Sequence, residues 1–114
     1  MSRAESEKPI VVLTTAGSDE EAERLARGLL ERRLAACVNV VPAVRSFYTW
    51  KGETCDDREI LLVSKTTAGR YDALAEAIRE LHSYDVPEIV ALPTHAVDEA
   101  YARWLGDAVR SQAT

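Results

Sequence analysis

The densest group of side chains able to do chemistry is the loop His82-Ser-Tyr-Asp-Val-Pro-Glu88. An imidazole and a carboxylate this close in sequence can hold a borderline divalent cation such as copper(II) or zinc. His82 and Glu88 are therefore the candidate metal ligands. His82 sits where a helical pattern ends, and the helix dipole there favours imidazolium, whereas a metal needs the neutral ring. The structural alternative is a helix-terminating loop in which His82 and Tyr84 satisfy backbone carbonyls. From the residues alone that alternative is the stronger.

A second group is Tyr48-Thr-Trp50-Lys51-Gly52. Tyr48 and Trp50 are two apart, so their rings share one face of a strand. Large rings beside a wet turn need cover. A partner subunit is the first candidate, with Val44, Phe47, Tyr48 and Trp50 as the contact residues; a ligand is the second. Lys65 lies at the far end of the same hairpin. It reads as a snorkelling surface residue or as the anion-binding group of a ligand cleft shared with Tyr48, Trp50 and Tyr84. No P-loop, G-x-S-x-G, HExxH or GxGxxG occurs, and the only histidines are His82 and His95. The chain reads as a protein without catalytic chemistry of its own.

The elements that must position these groups are legible from periodicity. Pro9 to Thr15 is a near-continuous apolar run suited to a buried strand. Ser18-Asp-Glu-Glu21 is a capping box, and Ala22, Leu25, Ala26, Leu29 and Leu30 give the buried face of a helix to about Arg33. Leu34 to Lys65 reads as one long hairpin turning at Lys51-Gly52. Trp50 then opposes Glu53, Tyr48 opposes Cys55, and Cys37 opposes Thr66. Pro42 cannot donate to a ladder and marks a bulge or bend. A second helix spans roughly Ala68 to Leu81 with Tyr71, Leu74, Ile78 and Leu81 inward. Glu88 to Leu92 is a last core strand. Asp98-Glu99 opens a third helix whose apolar face is Tyr101, Trp104, Leu105, Ala108 and Val109, with both aromatics in the core. The expected fold is α+β: a ferredoxin-like β-α-β-β-α-β antiparallel sheet with helices on one face, a long central hairpin and an extra C-terminal helix.

With 114 residues, the expected organisation is a single domain over 9–110, flanked by a disordered tail at 1–8 and a loose one at 111–114. A net charge of −5 with no basic patch argues against nucleic acid and anionic membrane as partners. No apolar run reaches the ~18 residues of a membrane span, and the polar start MSRAESEKP lacks a signal-peptide core. Cys37 and Cys55 fall far apart along the hairpin, so they are expected as free thiols, Cys37 as a small core residue. Free thiols fit a reducing, cytoplasmic setting. No metal or other cofactor is needed for folding a chain of this size.

Taken in order and spacing, Leu-Ala-Ala-Cys-Val-Asn (34–39), Tyr-x-Trp-x-Gly (48–52), Lys65-Thr66, His82-x-Tyr84-x-x-Pro87-Glu88 and Leu92-Pro93 resemble the CutA divalent-cation-tolerance family. The resemblance covers about Ile10 to Val109. It implies a tight homotrimer, similar in outline to PII signalling proteins, in which the hairpin pairs with neighbouring subunits and clefts lie between them. It also implies a link to tolerance of copper and other divalent cations. In the family's copper pattern a cysteine ends the first strand and a histidine pair ends the second helix. Here those positions hold Thr14 and Leu81, and only His82 matches, so a weak site is expected. Two further readings remain: a PII-like sensor binding a small anionic ligand in the intersubunit cleft, and a stable trimeric scaffold for other proteins.

Overall fold

A computed structural model of the chain describes residues 1–110. In order it contains α1 (Arg3–Ser6), β1 (Pro9–Ala16), α2 (Asp19–Glu31), β2 (Cys37–Trp50), β3 (Glu53–Thr67), a 3-10 turn (Ala68–Arg70), α3 (Tyr71–Leu81), β4 (Val90–Pro93) and α4 (Glu99–Val109). The four strands form one antiparallel sheet in the order β2-β3-β1-β4. This is the expected ferredoxin-like α+β arrangement. The loose start expected for residues 1–8 is instead a single helical turn capped by Ser2, whose hydroxyl accepts from the Glu5 N–H. The expected loose end at 111–114 lies outside the described residues.

Strand alternation decides which side chains enter the core. Ile10, Val12, Thr14 and Ala16 of β1 face the same side as Ile60, Leu62, Ser64 and Thr66 of β3, and all are buried. Ala22, Leu25 and Leu29 of α2 and Leu74, Ala77 and Ile78 of α3 close over that side. Each fully buried Leu or Ile stabilises the fold by roughly 1.5–3 kcal/mol. Leu30, expected inward, is 45% exposed, because α2 turns only a narrow stripe toward the sheet. Leu105 and Val109 of α4 are buried but stand outside this cluster. Helix α4 lies against β3 and β1, the two central strands, rather than along an edge.

The hairpin turns where expected. Lys51 and Gly52 both have positive φ, 50° and 80°, as a type I′ two-residue turn requires. Trp50 opposes Glu53 and Tyr48 opposes Cys55. Beyond Pro42 the register shifts by one between Val41 and Val44, the bulge anticipated at that proline. The shift carries Cys37 opposite Lys65, not Thr66, and onto the side away from α2 and α3. Cys37 is accordingly half-buried, not a core residue.

Two other expectations fail for a common reason. The core strand expected over Glu88 to Leu92 is instead an edge strand over Val90–Pro93 with all four residues exposed. Tyr101 and Trp104, also expected inward, are 38% and 50% exposed, their rings tilted together with centroids 5.4 Å apart. Both expectations rest on apolar composition, and a single chain does not bring a second layer to these surfaces.

An acidic cleft beneath an aromatic hairpin

The loop after α3 is fixed from below by a buried network. The Ser18 hydroxyl accepts from the Glu21 N–H at 3.1 Å, and Glu21 Oε1 accepts from the Gly17 N–H at 3.1 Å. The Ser18 bond is the cap anticipated from the spacing, while the carboxylate reaches Gly17, one residue before the N-cap, rather than Ser18 itself. The other oxygen, Oε2, reaches across to accept from the Ser83 N–H at 2.8 Å and from Arg24 Nη2 at 3.4 Å. Glu21 is only 4% exposed. Burial pushes its carboxyl up, but Ser83, the Gly17 N–H and nearby His82 outweigh that and hold it below the usual carboxylate range.

His82 lies in this network with both ring nitrogens committed. Nε2 is 2.7 Å from the Thr15 carbonyl oxygen and can only donate to it; Nδ1 accepts from the Tyr84 N–H at 3.0 Å. The His82 side chain has no exposure, and Glu21 Oε2 is 3.7 Å from Nδ1. Both ring nitrogens thus have backbone partners, as in the structural alternative for this loop, and Glu88 lines the cleft described next while His82 does not.

Above the network is an open cleft of about 730 Å³, between the outer hairpin and residues 84–88. Tyr48, Trp50 and Phe47 form one wall, and Tyr84 and Glu88 the other. The structure thus brings together Tyr48, Trp50, Tyr84 and Glu88 from the candidate residues. Lys65 does not line it. It opposes Cys37, six positions along β3 from Glu59, or about 20 Å at strand spacing. Within one chain Lys65 is therefore remote from this cleft, whereas the expected ligand cleft lies between subunits. Val44 is half-buried on the Tyr48 face of β2, while Phe47 is 63% exposed and Trp50 51%.

Asp57, Glu59 and Asp85 also line the cleft and are not among the residues expected from the sequence. A signal for two of them exists: Asp57 and Glu59 alternate with Cys55 and so share the face of Tyr48 and Trp50 once the register is set. Tyr48 Oη donates to Asp57 Oδ2, and Tyr84 Oη donates to Glu59 Oε2 at 2.9 Å. The bond to Asp57 raises the Tyr48 phenol above its ordinary value. Burial, with the bond to Glu59, pushes Tyr84 up to about 12. Both phenols stay protonated donors at neutral pH. A Cβ at Gly17 would lie 3.1 Å from Tyr84 Oη, so glycine there leaves room for this ring. With four carboxylates and no Lys, Arg or His among its lining residues, the cleft attracts cations and repels anions.

Residues 10–108 match the family described as CutA1 divalent ion tolerance protein. The chain belongs to this family. The divalent-cation tolerance protein CutA of Thermus thermophilus is 50% identical over 95 residues, covering 83% of this chain and 92% of its own. A solved divalent cation tolerance protein (Cut A1), also from Thermus thermophilus, superposes with a TM-score of 0.88 at 46% identity, over 90% of this chain and 99% of its own. CutA1 of Oryza sativa gives 0.89 at 41% identity, over 92% and 96%. The CutA copper pattern does not fit this chain. Thr14, at the cysteine position, is 2% exposed and its hydroxyl finds no partner in the core; Leu81 offers no donor, and His82 is committed to backbone. Among the described residues, no three His, Cys, Asp or Glu side chains converge as a ready metal-ion site.

Proposed function

We propose that this CutA-family protein works as a homotrimer in the response to divalent cations, and that cations meet it at the acidic cleft, not at His82. The observation that carries this reading is a cleft with four carboxylates and no basic side chain, in a chain of the divalent ion tolerance family. Oxygen donors replace the imidazole that copper and zinc favour, although copper(II) still binds a given oxygen site more tightly than other first-row divalent ions. Water or a neighbouring copy completes the shell, so binding is weak. A cytoplasmic setting goes with this reading.

Homotrimer formation is supported by the hairpin. Its outer half carries Phe47, Tyr48 and Trp50 with 42–63% exposure, a cluster that a neighbouring copy would cover. Within one chain Lys65 does not line this cleft, so the anionic-ligand alternative would need a lysine from a neighbouring copy. Calorimetric titration of copper(II), zinc and magnesium into the native assembly tests the cation reading. Asp85→Asn with Glu88→Gln, both exposed, is expected to weaken the heats several-fold. Unchanged heats would move the cation elsewhere.

A further inference from the structure

A divalent metal ion uses only part of what lines the cleft. We propose that the ligand it fits is a small linear organic cation with two or more ammonium groups, held by the carboxylates, the Tyr84 ring and the Thr15 hydroxyl. This rests on the reading of the cleft as a cation site and names the class of cation. The carboxylates are spread, not focused. Asp57 and Glu59 are two positions apart on β3, about 7 Å along a strand, while Asp85 and Glu88 stand on the loop that forms the other wall. Among the described residues no three His, Cys, Asp or Glu side chains converge as a metal-ion site, so a single small ion leaves much of this charge unanswered. Charges strung along a short alkyl chain meet several of these carboxylates at once. Asp57 and Glu59 each accept from a phenol, and a carboxylate keeps lone pairs for further donors.

The rest of the lining gives a hydrated metal ion little and matches an alkylammonium. Val86 and Pro87 present apolar surface beside the carboxylates, on which methylene groups pack as a lysine stem does. Tyr84 supplies a ring, 38% exposed and pinned at its hydroxyl to Glu59 at 2.9 Å. A ring face attracts an ammonium group within about 6 Å of its centre. Thr15 supplies an acceptor in the floor. It opposes Leu61 and so shares the face of Asp57 and Glu59. It lines the cleft and is only 7% exposed. Its carbonyl is taken by His82, but among the described residues its hydroxyl has no hydrogen-bond partner. A hydroxyl so enclosed calls for a partner, and a bound ammonium provides one. The cleft volume of about 730 Å³ falls within the ~300–1,000 Å³ of small-molecule sites, far more than one metal ion needs. Of the rings only Tyr84 is required, so a neighbouring copy that covers Phe47, Tyr48 and Trp50 leaves this site in place.

Calorimetric titration of the native assembly with spermidine, putrescine, butylamine and magnesium tests this. Affinity is expected to fall along the three amines in that order. Putrescine carries the same charge as magnesium and is expected to bind about tenfold more tightly or better. The two share carboxylates, so each is expected to displace the other. Tyr84→Leu should weaken spermidine roughly two- to fivefold and leave magnesium unchanged, and Thr15→Val should likewise weaken the amines alone. Putrescine no tighter than magnesium would overturn the proposal, as would a Tyr84→Leu variant that weakens both alike. Magnesium heats that vanish in Asp85→Asn with Glu88→Gln, beside amines that give none, would leave the cleft a cation site and remove the organic ligand. If a variant fails to fold, the comparison at equal charge in the unaltered protein still decides.

Discussion

The two ends of the long hairpin obey different rules. At its base, Val38 joins Ile60 and Leu62 against α2 and α3 in the protomer's own core. Beyond the Pro42 bulge the same two strands carry Phe47, Tyr48 and Trp50 with roughly half their surface open. Continuity of the ladder is not continuity of the core. The pairing stops serving the protomer's own interior as it nears the bulge, where Val40 and Val41 are already 43% and 41% exposed. The outer half has a different task, shared with the loop at 84–88: it walls an acidic cleft. On its core side the base is stabilised by burial of apolar side chains such as Val38, Ile60 and Leu62. The outer half has hydrogen bonds from phenols to carboxylates and ion pairs such as Arg45 with Asp56, groups that gain little while water competes for them.

That contrast is broken most directly at the base. Leu25→Ala empties a site with no exposure and is expected to cost about 2–5 kcal/mol in denaturant unfolding. A loss under about 1 kcal/mol, the usual size for a surface position, would mean the base is not the protomer's core.

Between the two regions, Glu21→Gln is expected to cost about 2 kcal/mol, since one amide oxygen cannot replace two charged acceptors for the Gly17 and Ser83 N–H groups. The sign of the pH dependence follows from the lowered carboxyl. Glu21 stabilises the fold above its unfolded-state pKa, and that contribution is lost as pH falls through the lower folded-state value. Unfolding free energy measured across acidic pH should therefore fall in the unaltered protein and stay flatter in the variant. Parallel profiles would remove Glu21 as the clamp.

At the outer half, Trp50→Glu is expected to leave the folding of the single chain nearly unchanged but to weaken association at least tenfold, about 1.4 kcal/mol. Sedimentation over a dilution series reads this. Intact association would place the contact surface elsewhere.

How much of this is legible in the sequence follows the range of the interactions involved. The turn, the Trp50–Glu53 and Tyr48–Cys55 rungs, the Ser18–Glu21 cap and the bulge at Pro42 are set by neighbours in sequence, and they can be read from it. The consequence of the bulge cannot: whether one residue is absorbed depends on β3 as well, and the slip moves Cys37 from Thr66 to Lys65. Exposure of Val90, Leu92 and Trp104 depends on which layers a single chain can supply, not on composition. In the cleft, residue type alone points to Tyr48, Trp50, Tyr84 and Glu88, while Asp57 and Glu59 need the strand register, and Lys65 lies elsewhere than expected. His82 illustrates the limit. Its residue type suggests a ligand, yet the Thr15 carbonyl that occupies its Nε2 comes from a strand 67 positions away.

The central claim is that one chain leaves its outer hairpin unfinished. The mass of the unaltered protein in dilute solution tests it most directly. Three times the 12.6 kDa chain mass is the predicted result; a stable species at 12.6 kDa, with Tyr48 and Trp50 open to solvent, would contradict it.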